Sequence, residues 1–585
     1  MRRHRHCRWA IAAFAVTLVL GGCAGASSPA GVQQGGQAAP EQPRRTKTIV
    51  FAVTGTVEGV GMLSGTTTTG GWATANEIHS NGLITSEPNA QKPIGRLAER
   101  VPTVDDGGVS LLPDGRMRVV YNLRRDASWQ DGTPFTAHDL VFTQRIYTER
   151  TLPYPTLDAV SLMDTSEASD DSTFVLYFKK PYYLGASLGV RLFWPLPRHI
   201  LEAPYQEYVQ SRNAEDFMTL PYWSAQFVGL GPFRITSWDP GTEVLLQAYD
   251  AYFLGRPKAD FVRIRFFSDQ QTLLSNLLAG AVDLYPETTV NAELSEQLRQ
   301  RWEPSGAGTV YIKEIAIRFI GPQWRASLQM EPANLDPRVR AALYHALDRE
   351  TLAEAMMVGH REMAAYAILP PQDPNFEAAR DALRPYSYDP DRARTLLRDL
   401  GWMAGPDGVL RHSSDGRRFR NAMIATIDTA REIPPFADYW RRIGLEVEEQ
   451  TVPASQTRNL EFRASFPGWA FSAKSPGDGI LGQLEGPAAS PQTRWVGNRD
   501  GYDDPRAQAL IERYRASLSP RDQFAAMKEI SDLVATELLF LPAYRTADSV
   551  GVRSGIKAYD DHMGGTIGGN PFGGYARNSH LWDIL

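Results

Sequence analysis

SWQDGTPFTAHDLVF, residues 128–142, reads as the join between a strand and a helix. Immediately before it, MRVVYNL at 117–123 alternates polar and apolar side chains and carries β-branched residues, the pattern of a half-buried strand. Asp131-Gly132 then turns the chain. Thr136 can cap a helix through its hydroxyl, Asp139 lies three residues on in the favourable field of the helix N-terminus, and Phe142 and Ile146 share one face. Nothing in the stretch has to do chemistry; by physics alone it is a strand, a turn and a capped helix.

At 585 residues, 43% hydrophobic and 22% charged, the chain has the composition of soluble globular protein and is too long for one core, so two or three domains are expected. A net charge of −6 without a long basic run leaves no footprint for nucleic acid. The 10 histidines form no HExxH and no close cluster, and the pairs Asp105-Asp106 and Asp503-Asp504 sit at turns. Neither a metal nor a cofactor is expected.

Arg2, Arg3, Arg5 and Arg8 precede an apolar run, Trp9 to Leu20, that is too short to remain in a bilayer, so residues 1–22 read as a signal peptide. Leu20-Gly21-Gly22-Cys23 resembles the bacterial lipobox, which implies a lipid on Cys23 as the first mature residue. Cys7, the other cysteine, lies in the removed peptide, which leaves no disulfide. Two or more acyl chains, at roughly 0.8 kcal/mol per buried methylene, hold a protein stably at a membrane. The Ala-, Gly-, Ser-, Gln- and Pro-rich stretch after the cysteine completes an anchor and tether over residues 23–47.

Thr48 to Thr54, TIVFAVT, opens the folded part as a strand. Gly59-Val60-Gly61 lacks the third glycine and the following helix of a dinucleotide loop. Gly185 to Gly189 matches GxSxG around Ser187, but Trp194-Pro195-Leu196-Pro197 soon forbids the long helix that a nucleophile elbow needs. GLGPFR at 229–234, Asp239-Pro240-Gly241 and the residues beyond read as strand, turn, strand. A helix is expected over 271–279, and Asp336-Pro337, Asp389-Pro390 and Asp504-Pro505 each announce another, aspartate capping and proline in the first turn. After Pro542, a strand and loop are expected to lead to Val550-Gly551-Val552.

In this order, PIGRLAE at 93–99, the 128–142 stretch, GLGPF at 229–233, AYFLGRP at 251–257, GAVDL at 280–284, the helix from 338 through Glu350, YDPDRARTLL at 388–397 with Leu400-Gly401-Trp402, and WRRIGLEV at 440–447 resemble the successive signatures of the family 5 extracellular solute-binding proteins. These are receptors of ABC importers for peptides, opines, nickel and sugars. The resemblance implies an α/β, two-lobed periplasmic-binding-protein-like fold of the large three-subdomain type. Lobe I would cover 48–312 with an inserted subdomain at about 82–228, lobe II 313–545, and residues 546–585 would return to lobe I through the second of two hinge crossings. It further implies a monomeric, extracytoplasmic receptor with no catalytic role, which hands a peptide-like or other small solute to permease subunits driven by their ATPases.

In this family a glycine-tryptophan pair is followed, three residues after the tryptophan, by an aspartate that holds the free ammonium of bound peptides. Gly468 and Trp469 match the pair, but Ser472 stands at the aspartate position. A buried ammonium without a counter-charge costs several kcal/mol, which speaks against peptides with a free amino end unless another carboxylate, such as Asp478, takes the place. The resemblance implies a ligand site of Gly468, Trp469, Phe471 and Ser472, with Tyr154, Trp72 and Arg318 near the cleft; read without it, Trp469 and Phe471 are core residues. Two rivals are a secreted lipoprotein hydrolase using Ser187 and a ligand-sensing receptor that docks on a signalling partner.

Overall fold

The computed structural model describes residues 45–585 apart from residues 56, 58, 61–70, 88–91, 153–157, 370, 372, 374, 383–385, 458, 476–477 and 559–573. The signal peptide, Cys23, most of the tether, Tyr154 and part of the 59–64 loop lie outside the described residues. Residues 46–585 form one compact unit.

Fourteen strands frame the two halves of the molecule and the polar groups between them. In chain order they are β1 Thr48–Thr54, β2 Val109–Leu111, β3 Met117–Asn122, β4 Met163–Asp170, β5 Thr173–Phe178, β6 Phe233–Asp239, β7 Glu243–Ala248, β8 Phe261–Phe267, β9 Leu284–Tyr285, β10 Gly308–Pro322, β11 Arg420–Thr426, β12 Glu446–Val452, β13 Trp469–Lys474 and β14 Leu541–Arg553. Ten of them make one sheet in the order β12-β11-β13-β10-β14-β9-β1-β8-β7-β6, and β2-β3-β5-β4 make a separate four-stranded sheet.

The long strands β10 and β14 tie the two halves of the large sheet together. They run antiparallel over their whole length, from Gly308 opposite Arg553 to Ile320 opposite Leu541. At one end β14 takes β9 as its neighbour; at the other, β10 takes β13. Packing thins midway: Ile312 to Ala316 and Arg545 to Ala547 are half-buried or exposed, and the register slips between Glu314 and Ala316. A bulge at a poorly packed point is where a paired ribbon bends most easily. The strand and loop expected after Pro542 are instead one 13-residue strand, because β10 offers backbone partners along its length.

Local signals explain the elements that flank this frame. Strand β3 and the helix Ala137–Tyr147 form as the alternation and cap predict. Thr136 and Asp139 cap the helix reciprocally: the Thr136 side chain accepts from Asp139 N–H, and the Asp139 carboxylate accepts from Thr136 N–H at 2.9 Å, from Arg198 N–H at 3.0 Å and from the Trp129 indole at 3.4 Å. The Gln130 side chain donates to the carbonyls of Gly231 and Phe233 and accepts from Gly229 N–H, so two motifs about a hundred residues apart in sequence are one structural unit. Glycine is required at 231 because a Cβ there would stand 2.2 Å from the His79 carbonyl carbon. Each Asp-Pro helix begins as read, with Asp336, Asp389 and Asp504 accepting from Arg338, Arg392 and Arg506 N–H at 2.8 Å.

The segment that carries the GxSxG match is turn and coil between Phe178 and the helix Arg198–Ser211, so no strand-to-helix elbow presents Ser187. Among the described residues no helix is long and apolar enough to cross a membrane, and no group of three metal-ligating side chains occurs.

Candidate functional site

Two polar groups lie along the connecting strands, one on each half. The first gathers where β1 and β9 end. Glu77 receives Arg191 through Nε at 3.1 Å and Nη2 at 3.0 Å, and Gly574 N–H also points at it. Thr74 donates to Glu287, and Arg191 lies 3.5 Å from the same carboxylate. Among the described residues the second carboxylate oxygens of Glu77 and Glu287 are buried without a hydrogen-bond partner, as are Nε and Nη2 of Arg577, whose Nη1 donates to the Gly574 carbonyl. Burial raises the Glu77 carboxyl above its ordinary value although Arg191 pulls it down, and burial lowers Arg577 to about 10.

Asp548, on β14, joins this group to the connecting strands. It accepts from Thr288 N–H at 2.6 Å and Ser549 N–H at 2.8 Å. Burial, with Glu287 adding to it against those two donors, pushes its carboxyl up to about 7. A folded value above the unfolded 3.8 means the native state holds a proton that the unfolded state has released. Stability from this group is therefore present at about pH 4 and is lost as pH rises to about 7. Three units at about 1.4 kcal/mol each make this roughly 4 kcal/mol at most. Urea unfolding from pH 4.5 to 8 should show the decline, and Asp548→Asn should flatten it; an equally steep decline in the variant would refute the assignment.

The second group lies on the other half, where β13 pairs with β10. Ser472 stands opposite Phe319 and Lys474 opposite Ile317, so the two side chains share a face of β13. Lys474 is half-buried, and its ammonium makes no hydrogen bond or ion pair among the described residues. Burial lowers its pKa, with Arg499 and Arg463 repelling and Asp500 attracting. Arg463 is likewise lowered by burial and by Arg499. Asp500, the one acid among the described residues that acts on both, is 3% exposed, accepts from the Gln483 amide and from Arg499 Nε at 3.4 Å, and is pushed up by burial. Among the described residues four cations, Lys474, Arg463, Arg499 and Arg325, thus act on this one carboxylate.

Alternation along β13 separates the residues that the sequence grouped. Trp469 and Phe471 point away from Ser472, into the core beneath the helix Ile433–Arg442: Trp469 packs edge-on against Trp440 at 5.1 Å and Phe471 against Phe436 at 5.0 Å. Gly468 serves close approach, since a Cβ would lie 2.3 Å from the Ala422 carbonyl oxygen. Arg318 is committed to a buried pair, 2.9 Å from Glu432, which also accepts the Tyr544 hydroxyl at 2.6 Å. Trp72 sits in the core of the first half against Trp238 and Phe266, close to Glu77 in sequence, with its indole N–H unpartnered among the described residues. Sequence reading missed Lys474, Arg463 and Arg499, and missed Glu77, Glu287, Arg191 and Arg577. Only Lys474 carried a signal, its two-residue spacing from Ser472.

Residues 92–490 match the family described as bacterial extracellular solute-binding proteins, family 5 Middle. The oligopeptide-binding protein AppA of Bacillus subtilis is 24% identical over 372 residues, which is 61% of this chain and 64% of that protein, so the match falls short of two thirds of the relative's length. Among solved structures, the oligopeptide-binding protein of Thermus thermophilus complexed with a pentapeptide aligns over 92% of this chain and 96% of its own, at 20% identity and a TM-score of 0.68. NikA from Brucella suis in complex with Fe(III)-EDTA aligns over 92% and 100%, at 18% identity and a TM-score of 0.68. The chain shares their two-lobed fold.

Proposed function

This chain belongs to the bacterial extracellular solute-binding proteins of family 5, and we propose that it is the receptor of an ABC importer, closing its two lobes on a small solute and delivering it to the permease. The family acts outside the cytoplasm and consists of binding proteins. In this reading Cys23 is lipidated and holds the receptor at the membrane, residues 23–47 are the tether, and the protein works as a monomer without catalysis. Lobe I covers 48–312 with the inserted subdomain at about 82–228, lobe II covers 313–545, and 546–585 return to lobe I.

The observation that carries the reading is the pair of connecting strands. Both lobe boundaries fall inside β10 and β14, beside the bulge at Glu314–Ala316 where packing thins, which is what a hinge requires. The polar groups on the two halves meet these strands at Asp548 and Ile317. Asp548 lies opposite Lys313, four residues, roughly 13 Å, along β10 from Ile317. That separation suits a small solute held between them. Across the opening, Tyr183 N–H donates to the Arg515 carbonyl at 2.8 Å, Tyr183 and Tyr514 meet edge-on, and Lys180 pairs with Glu512. These contacts would part as the lobes open.

The relatives' pentapeptide and metal chelate bracket the solutes to try. A solute at a hundred times its dissociation constant should stabilise residues 46–585 by roughly 2.7 kcal/mol against thermal unfolding. Unchanged unfolding with peptides, metal chelates, opines and sugars alike would count against the receptor reading.

A further inference from the structure

Resting on the receptor reading, we infer that the solute carries an anionic group, a carboxylate or its equivalent, which lodges beside Ser472 against Lys474 with Arg463 and Arg499 around it. The resemblance puts an aspartate at position 472 in relatives that hold a peptide ammonium; here the position is neutral, and the next side chain on the same strand face is a lysine. The sign of the site is thereby reversed.

Arg325, also on this side, is spent on backbone: it donates to the carbonyls of Ala464, Arg499 and Ala489 and to the Gln323 side chain. Asp500 is engaged by Gln483 and Arg499. Arg463 has one contact, the Thr457 carbonyl at 3.3 Å, and Lys474 has none among the described residues. Half-buried cations that repel one another and, among the described residues, outnumber the one acid beside them are unfavourable in the empty protein, and an anion entering from solvent relieves them. A solute with an ammonium at this place would add a further positive charge.

The test uses residues 46–585 and five probes at constant ionic strength: the acetylated tripeptide Ac-Ala-Ala-Ala with a free carboxylate, its neutral amide, the free-amine tripeptide amide, the zwitterion and citrate. Dissociation constants come from thermal unfolding. An anionic probe should bind at least tenfold more tightly than the neutral and cationic ones, and Lys474→Met should remove that preference. The variant should fold, since it deletes a charge without a partner; its own unfolding midpoint checks this, and Lys474→Gln provides a second version. Ser472→Asp should also weaken the anionic probe at least tenfold and favour the free amine.

Tighter binding of the free-amine amide, or equal anion affinity in Lys474→Met, would overturn the inference while leaving the receptor reading intact. Binding of none of the five would overturn the inference and weaken that reading too.

Discussion

Glu432→Ala is expected to cost about 3–5 kcal/mol of stability, because it strands the Arg318 guanidinium in a site where that side chain is 12% exposed. The same deletion removes the acceptor of the Tyr544 hydroxyl. The wild-type pair is not itself a large source of stability: burial raises the Glu432 carboxyl although Arg318 lies beside it, so desolvation outweighs the partner's attraction. Removing both charges should therefore cost less than removing one. In urea titrations Arg318→Met/Glu432→Leu should lie closer to wild type than Glu432→Ala. A single-variant loss below about 1 kcal/mol would mean that water reaches the pair.

Trp469→Ala should cost about 3–5 kcal/mol in the solute-free protein. The indole is wholly buried against Trp440 in the core of the second half, and truncation leaves a cavity next to Phe436 and Phe471. Trp469→Phe should be milder, since it keeps much of the ring contact. A wall of the cleft would behave differently, with solute affinity falling while the midpoint without solute stayed within about 0.5 kcal/mol of wild type. That second outcome would return Trp469 to the binding surface.

Much of the fold was legible because its signals are local. An aspartate before a proline caps a helix whatever surrounds it, and the 117–123 alternation specifies one buried face. The hidden parts depend on partners far away in sequence. Nothing around Gln130 announces that it binds the 229–233 strand, and the single long β14 arises only because β10 lies beside it. The site follows the same rule. Glu77 and Arg577 lie about five hundred residues apart in sequence, and Lys474 meets Arg463 and Arg499 only once the chain folds back. Strand period could have separated Trp469 and Phe471 from Ser472, because a two-residue repeat puts them on opposite faces.

Closure on a solute is tested most directly by the distance between spin labels at Lys179→Cys and Arg513→Cys, exposed positions beside the Lys180–Glu512 pair. Residues 46–585 contain no cysteine, so only these two sites take the label. With a solute that stabilises the protein, a short, narrow distribution is expected; without it, a longer and broader one. An identical distribution in both conditions would contradict a receptor that closes about β10 and β14.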